Sequence, residues 1–110
     1  MSTVTINRNC DFRRLYYKGK AYTNPALVVY AAKNSAGICR IGITVSKKIG
    51  TAVERNRCKR VIRAAYRAVE PQLSGNWDFV FVARSRTRFL KSTQVQEILT
   101  ELLQKAGAIK

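Results

Sequence analysis

The segment from residue 51 to residue 71 constrains the fold most, because it specifies both ends of a helix. Thr51 followed by Glu54 matches the capping box, in which each side chain accepts a hydrogen bond from the backbone NH of the other residue. Pro71 cannot continue a helix, and it disfavours helical geometry at the residue before it. The sequence therefore predicts a helix over residues 52–69.

The predicted helix has one basic face and one apolar face. Successive side chains rotate by about 100° around a helix, and this rotation forms a basic row of Arg55, Lys59, Arg63 and Arg67, with Asn56 and Arg60 beside it. An apolar stripe lies opposite: Cys58, Val61, Ile62, Ala65, Ala68 and Val69, with Arg57 at the boundary. A solvated face ordinarily mixes acids with bases, but no acid lies between Arg55 and Arg67. Because clustered like charges destabilise a helix, this face predicts an anionic partner.

The charge of the whole chain favours nucleic acid as that partner. The sequence has 110 residues, with 21 Lys and Arg against 6 Asp and Glu and a formal net charge of +15. This length predicts a single domain, residues 1–110. A hydrophobic content of 46% is too high for a disordered basic tail. We expect no membrane segment, since no long apolar run is present, and no secretion signal.

The cysteines predict neither a metal site nor a disulfide framework. Cys10, Cys39 and Cys58 are dispersed, and the chain contains no histidine. Zinc sites favour closely spaced Cys and His ligands, and disulfide frameworks favour an even number of cysteines. We therefore expect reduced thiols in a cytoplasmic protein and no metal bound by the polypeptide.

The acids do not form a catalytic pair in the sequence. Glu54 serves as a helix cap, whereas Glu70 and Asp78 lie at the edges of different elements with no evident partner. Cleavage of a phosphodiester by a protein requires a general base or paired carboxylates that hold metal. Without histidine, a serine or cysteine nucleophile also lacks its usual base. We therefore expect no catalytic residue and no protein-bound cofactor.

Hydrophobic periodicity predicts the other elements. Helical spacing predicts a helix over residues 11–18 and a last helix that ends at Gly107. Strands are predicted at residues 26–32, 39–45 and 77–83, with a further short strand near Tyr22. Residues 33–37 have the composition of a hairpin turn, and residues 84–88 predict a basic loop. The order, approximately αβββαβα, predicts an α+β fold: a compact two-layer α/β sandwich with a mostly antiparallel sheet.

The basic segment resembles the RNR motif of the bacterial ribonuclease P protein subunit: Lys47-Lys48-x-Gly50-x-Ala52-Val53-x-Arg55-Asn56-Arg57-x-Lys59-Arg60-x-x-Arg63. The predicted first helix, the strand that contains Tyr30 and the segment WDFVFVAR extend the resemblance over nearly the whole chain. In that family a catalytic RNA removes the 5′ leader from precursor tRNA, and the small basic protein binds both the RNA subunit and the leader. The resemblance also implies a sandwich with a left-handed crossover, against the usual right-handed rule.

The resemblance implies two groups of binding residues. The first would hold RNA: Lys47, Lys48, Arg55, Asn56, Arg57, Lys59, Arg60 and Arg63, with Arg67 continuing the row. The second would line a cleft for the single-stranded leader: Phe12, Tyr16, Val28 and Tyr30. Ordinary core packing is the alternative role for Phe12, Val28 and Tyr30. The implied partners are catalytic ribonuclease P RNA and precursor tRNA, with Mg²⁺ for the RNA-based holoenzyme and no membrane or DNA partner.

Two other classes of protein share the basic composition. A ribosomal or other structural RNA-binding protein is also small, basic and α/β, but its binding should be indifferent to a tRNA leader. A DNA-binding protein that inserts a helix into a groove is less favoured, because no helix-turn-helix or dimer seam is evident. Leader dependence separates these classes, whereas salt dependence does not, since any protein that contacts several phosphates shows a steep salt slope.

Overall fold

The computed structural model describes residues 3–5, 19–34 and 39–109. These residues form a mixed five-stranded sheet and two helices. The strands are β1 (Thr3–Thr5), β2 (Lys20–Asn24), β3 (Leu27–Lys33), β4 (Cys39–Thr44) and β5 (Trp77–Ala83). The helices are α1 (Ala52–Val69) and α2 (Ser92–Ala106), and short 3-10 turns occupy Lys47–Ile49, Glu70–Gln72 and Ser85–Phe89. The helix predicted over residues 11–18 lies outside the described residues.

The strand order is β1-β4-β5-β3-β2. Strand β4 runs parallel to β1 and β5, while β3 runs antiparallel to β5 and β2. The predicted hairpin between β3 and β4 is wrong, because β5 lies between these two strands. Strand β5 is mostly apolar on both faces, and a central position in the sheet, with a strand on each side, removes most of its surface from solvent. The α+β class is confirmed, but pairing among the described strands is evenly mixed, not mostly antiparallel, and the crossover's handedness stays a prediction.

Both predicted ends of α1 are confirmed. The Thr51 hydroxyl accepts from the Glu54 backbone NH at 3.2 Å, and the Thr51 backbone NH donates to Glu54 Oε1 at 3.1 Å. A Cβ atom at Gly50 would lie 2.7 Å from Glu54 Oε1, so glycine leaves room for the capping carboxylate. At the other end, Val69 is followed by the 3-10 turn that contains Pro71. Helix α2 ends as predicted at Gly107, whose φ of 85° suits glycine.

Helix α1 is anchored to the sheet by a buried aromatic side chain. Tyr66 is 1% exposed, and its ring centroid lies 6.4 Å from that of Phe79 and 5.6 Å from that of Phe81 on β5. The predicted apolar stripe omitted Tyr66 and included Ala68, which is exposed. The spacing could have identified Tyr66, since it lies four residues after the buried Ile62. This packing places α1 on the face of the sheet that carries the main core.

An ion pair ties three strands together on the opposite face of the sheet. Arg40 donates from Nε to Asp78 Oδ1 at 2.7 Å and from Nη2 to Asp78 Oδ2 at 2.6 Å. Asn34, just after β3, donates to Asp78 Oδ1 at 2.7 Å. The expectation that Asp78 has no evident partner is therefore wrong. Residues 40 and 78 are far apart in sequence, and the parallel register of β4 and β5 sets them side by side.

We predict that Asp78→Ala lowers the free energy of unfolding by about 3 kcal/mol, because Arg40 would lose its partner in a mostly buried site. Urea denaturation measures this loss. The matched control is Glu101→Ala, which breaks the exposed Glu101–Lys105 pair on α2 and should cost less than about 0.5 kcal/mol. Equal losses in the two variants would contradict a structural role for the Arg40–Asp78 pair.

Candidate nucleic-acid interface

The outer side of α1 is a solvent-exposed cationic surface, called here the basic face. Its members are all exposed: Asn56, Lys59, Arg60, Arg63 and Arg67. The single acid of the helix, Glu54, is occupied by the capping box at its start. The basic face therefore carries four positive charges and no negative charge along three turns. Such a surface binds phosphates through charge, without requiring a particular base sequence.

Two other predicted binding residues, Arg55 and Arg57, are half-buried at the start of α1. Arg57 Nη1 donates to the backbone carbonyl of Arg88 at 2.7 Å, so part of its guanidinium has a structural role. Arg55 Nε is buried and has no hydrogen-bond partner in the described part of the chain. Both side chains thus lie at the base of the basic face and not at its outer surface.

The predicted pair Lys47 and Lys48 lies in the 3-10 turn that precedes α1. The Ser46 hydroxyl caps this turn by accepting from the Lys48 backbone NH at 3.2 Å, and Ile49 anchors it in the core. Both lysines are exposed. The turn therefore extends the cationic surface from the helix toward the end of β4.

The segment after β5 is an ordered 3-10 turn, Ser85–Phe89, where the sequence predicted a basic loop. Thr87 is fully buried; its hydroxyl donates to the Ala26 carbonyl and accepts from the Arg84 backbone NH at 3.0 Å. Arg88 Nη1 donates to the Ile49 carbonyl, and the same nitrogen lies 3.9 Å from Glu54 Oε2. These contacts could not be predicted from the sequence, because they join segments that are distant along the chain.

These contacts bring two basic turns together at the start of α1, in a region we call the basic corner. Its members are Lys47, Lys48, Arg57, Arg84, Arg86 and Arg88. The side chains of Arg84 and Arg86 are exposed, whereas Arg88 holds the two turns together and Arg57 holds the second turn against α1. The basic corner adjoins the first turn of the basic face, so the two form one continuous cationic surface.

Two residues of the predicted leader cleft, Val28 and Tyr30, lie on the other face of the sheet. Along β3, Leu27, Val29 and Ala31 are buried in the main core, while Val28 and Tyr30 alternate with them and are half-buried. Tyr30 packs near Val80 of β5 instead. The sheet therefore separates Val28 and Tyr30 from the basic face. Phe12 and Tyr16, the other predicted cleft residues, lie outside the described residues.

The basic corner connects these two surfaces. The hydrogen bond from Thr87 to the Ala26 carbonyl holds the Ser85–Phe89 turn at the start of β3, two residues before Val28. The basic corner therefore lies next to the end of β3 that leads to Val28.

Two of the three cysteines lie among the described residues, and both are buried: Cys39 in β4 and Cys58 in α1. Cys10 lies outside the described residues. Burial raises the pKa of the Cys58 thiol, an effect that the nearby Arg57 and Arg88 guanidinium groups partly oppose. Cys58 thus behaves as a packing residue beneath the basic corner. No helix in the described ranges combines the length and apolar character needed to cross a bilayer.

Comparison with known proteins agrees with this architecture. The family model for ribonuclease P matches residues 2–107. The ribonuclease P protein component of Clostridium botulinum (strain Loch Maree) is 41% identical over 108 residues, which is 97% of each chain. That match decides the family. The chain belongs to the ribonuclease P protein family.

Solved ribonuclease P proteins share the fold. The Staphylococcus aureus protein superposes with a TM-score of 0.86 at 34% identity, and the match covers 99% of this chain and 100% of that chain. The Thermotoga maritima protein gives a TM-score of 0.81 at 28% identity and covers 92% of this chain and 96% of that chain. A ribonuclease P protein is an accessory subunit of the holoenzyme that processes tRNA 5′ ends. This membership favours the ribonuclease P subunit over an unrelated structural RNA-binding protein.

We predict that Cys58 makes stability depend on pH in the alkaline range. Its folded-state pKa is raised, so the folded protein holds the thiol proton more tightly than the unfolded chain. Stability from this group is present below the ordinary thiol pKa of about 8.5 and is lost as the pH rises above it. Urea midpoints near pH 7 and near pH 10 measure this loss. Cys58→Ala should lose less stability than the wild type over that interval, and equal losses would refute the effect.

Proposed function

We propose that this ribonuclease P subunit binds the catalytic RNA through its basic face and helps to hold the 5′ leader of precursor tRNA. The observation that supports this proposal is the exposed row of positive charges on α1, which contains no acid. The one acid of that helix, Glu54, is used in the capping box. Each exposed Lys or Arg can neutralise one phosphate and release its counterions. Family membership implies that the partner is ribonuclease P RNA, and the positive charge indicates that binding occurs through phosphates.

The proposed division of labour leaves bond cleavage to the RNA. Mg²⁺ in the holoenzyme would activate the water and stabilise the leaving oxygen at the RNA active site. The protein would contribute electrostatics and position, because fixed cations reduce the repulsion between two polyanions that must approach each other. We therefore expect the protein to matter most when Mg²⁺ is scarce, since its charges then replace counterions that are missing.

The leader is proposed to lie along the face of the sheet that carries Val28 and Tyr30, together with Phe12 and Tyr16. Tyr30 is half-buried and packs against Val80, so this part of the sheet places an aromatic side chain beside an apolar one. A single strand binds well where aromatic rings stack on bases and cations hold the backbone. The basic corner, at the start of β3, provides such cations for the phosphates of the leader.

We predict that the double variant Lys59→Ala with Arg60→Ala weakens binding to ribonuclease P RNA. If each side chain contacts a phosphate, the plot of log affinity against log salt should flatten by about two units. Filter binding or fluorescence anisotropy over a salt series measures the slope. The control is Lys105→Ala, which removes one positive charge from the exposed end of α2. A slope like that of the wild type in the double variant would show that Lys59 and Arg60 do not contact phosphate.

We also predict that Tyr30→Ala weakens binding of precursor tRNA to the holoenzyme by about fivefold to a hundredfold, because one stacked base is lost. Binding of mature tRNA, which has no leader, should not change. Tyr30→Phe is the matched control, since it keeps the ring. If precursor and mature tRNA lost affinity equally in Tyr30→Ala, the leader would not lie on this face. An identical precursor sequence made of DNA tests whether binding requires RNA.

A further inference from the structure

Phe89 is an aromatic side chain that the proposed function leaves unexplained. It ends the Ser85–Phe89 turn and is 72% exposed. Exposed large apolar side chains are uncommon in the described part of this chain, where Val53 is the other example. A single exposed apolar residue on a surface needs no explanation. The surroundings of Phe89, however, give its ring a defined position and a defined chemistry.

The backbone around Phe89 is held from several directions. The Thr87 backbone NH donates to the Arg84 carbonyl at 2.9 Å, and the Leu90 backbone NH donates to the Thr87 carbonyl at 3.1 Å. Arg57 binds the carbonyl of Arg88, the residue next to Phe89. Thr87 is buried beneath the turn. Phe89 is therefore presented by an ordered turn, so little backbone entropy is lost when its ring binds a ligand.

One side of the Phe89 ring carries a cation. The Arg88 guanidinium carbon lies 4.7 Å from the ring centroid, within the range of a cation–π contact. Arg88 is itself fixed by its bond to the Ile49 carbonyl and by its approach to Glu54. With 72% of Phe89 exposed, much of its ring stays open to solvent. Flat guanidinium and aromatic groups are the two kinds of surface on which unpaired bases stack.

The charge around Phe89 favours a nucleic acid strand over an apolar protein surface as the ligand of its ring. Arg84, Arg86 and Lys91 are exposed on the same stretch of chain, and the nearby acid, Glu54, already caps α1 and faces Arg88. An apolar protein surface laid over Phe89 would have to desolvate these cations without pairing them. A nucleic acid strand would offer a base to the ring and phosphates to the cations at once.

We propose that Phe89, backed by Arg88, is a stacking site for one unpaired base of the bound RNA. The site lies at the basic corner, between the basic face and the start of β3, and it is separate from the predicted cleft residues Val28 and Tyr30. This inference rests on the proposed function, since it assumes that RNA occupies the cationic surface. The Phe89 site would contact a base, whereas the rest of the cationic surface is proposed to contact phosphates.

The test compares Phe89→Ala and Phe89→Trp in binding to ribonuclease P RNA, with and without precursor tRNA, over a salt series. Phe89→Ala should reduce affinity by about fivefold to a hundredfold and leave the salt slope unchanged, because no phosphate contact is lost. Phe89→Trp should retain or increase the affinity. Arg86→Ala, on the same turn, is the contrasting control and should flatten the slope. Val53→Ala removes the other exposed apolar side chain and should have no effect.

The outcomes separate this inference from the proposed function. If wild-type protein fails to bind ribonuclease P RNA, the proposed function fails. If wild-type protein binds and Phe89→Ala binds equally well, only the stacking site is overturned. Urea denaturation checks that Phe89→Ala is folded, as expected for an exposed side chain. Sedimentation tests the competing occupant: a dimer that Phe89→Ala converts to a monomer would assign the ring to a second copy of the chain and overturn the proposal.

Discussion

Packing of Tyr66 against Phe79 and Phe81 is the contact on which the orientation of the basic face depends. It fixes the rotation of α1 about its own axis, because a buried ring cannot move without leaving a large cavity. Once Tyr66, Ile62 and Cys58 face the sheet, the basic face must point to solvent. The same contact positions α1 against β5, the strand that has neighbours on both sides and therefore organises the sheet.

Positive charges crowd together at the start of α1, and hydrogen bonds within the protein offset part of their repulsion. Arg57 and Arg88 each donate to a backbone carbonyl, and Arg88 also approaches Glu54. Arg57 thereby joins α1 to the turn Ser85–Phe89, and Arg88 joins that turn to the turn Lys47–Ile49. Lys47, Lys48, Arg84 and Arg86 are exposed. Different cations of this corner thus have different roles: some hold the fold together, and others face solvent.

Local features of the fold could be predicted from the sequence, and contacts between distant segments could not. The capping box, the end of α1 at Val69 and the exposed basic row follow from spacing within a few residues. The order of strands does not, since nothing near residues 33–37 indicates that β5 separates β3 from β4. The Arg40–Asp78 pair and the bond from Thr87 to Ala26 were missed for the same reason. Each joins segments that only the completed sheet brings together.

The predicted binding residues divide in the same way. Exposure of Lys59, Arg60, Arg63 and Arg67 follows from helical rotation, but the half-buried positions of Arg55 and Arg57 depend on the turn that packs beside them. The family resemblance implied RNA contacts for these residues, but it did not indicate the corner that lies between them and β3. Three-dimensional structure adds that corner, because the bond from Thr87 to the Ala26 carbonyl holds the Ser85–Phe89 turn at the start of β3.

The measurement that tests this account most directly is cleavage of precursor tRNA at low Mg²⁺ by a bacterial ribonuclease P RNA, with and without the protein. The account predicts cleavage at the 5′ end of the mature tRNA when both are present, and none from the protein alone. Absence of stimulation, despite tight and salt-sensitive RNA binding, would contradict the role as a subunit. Cleavage by the protein alone would contradict the assignment of catalysis to the RNA.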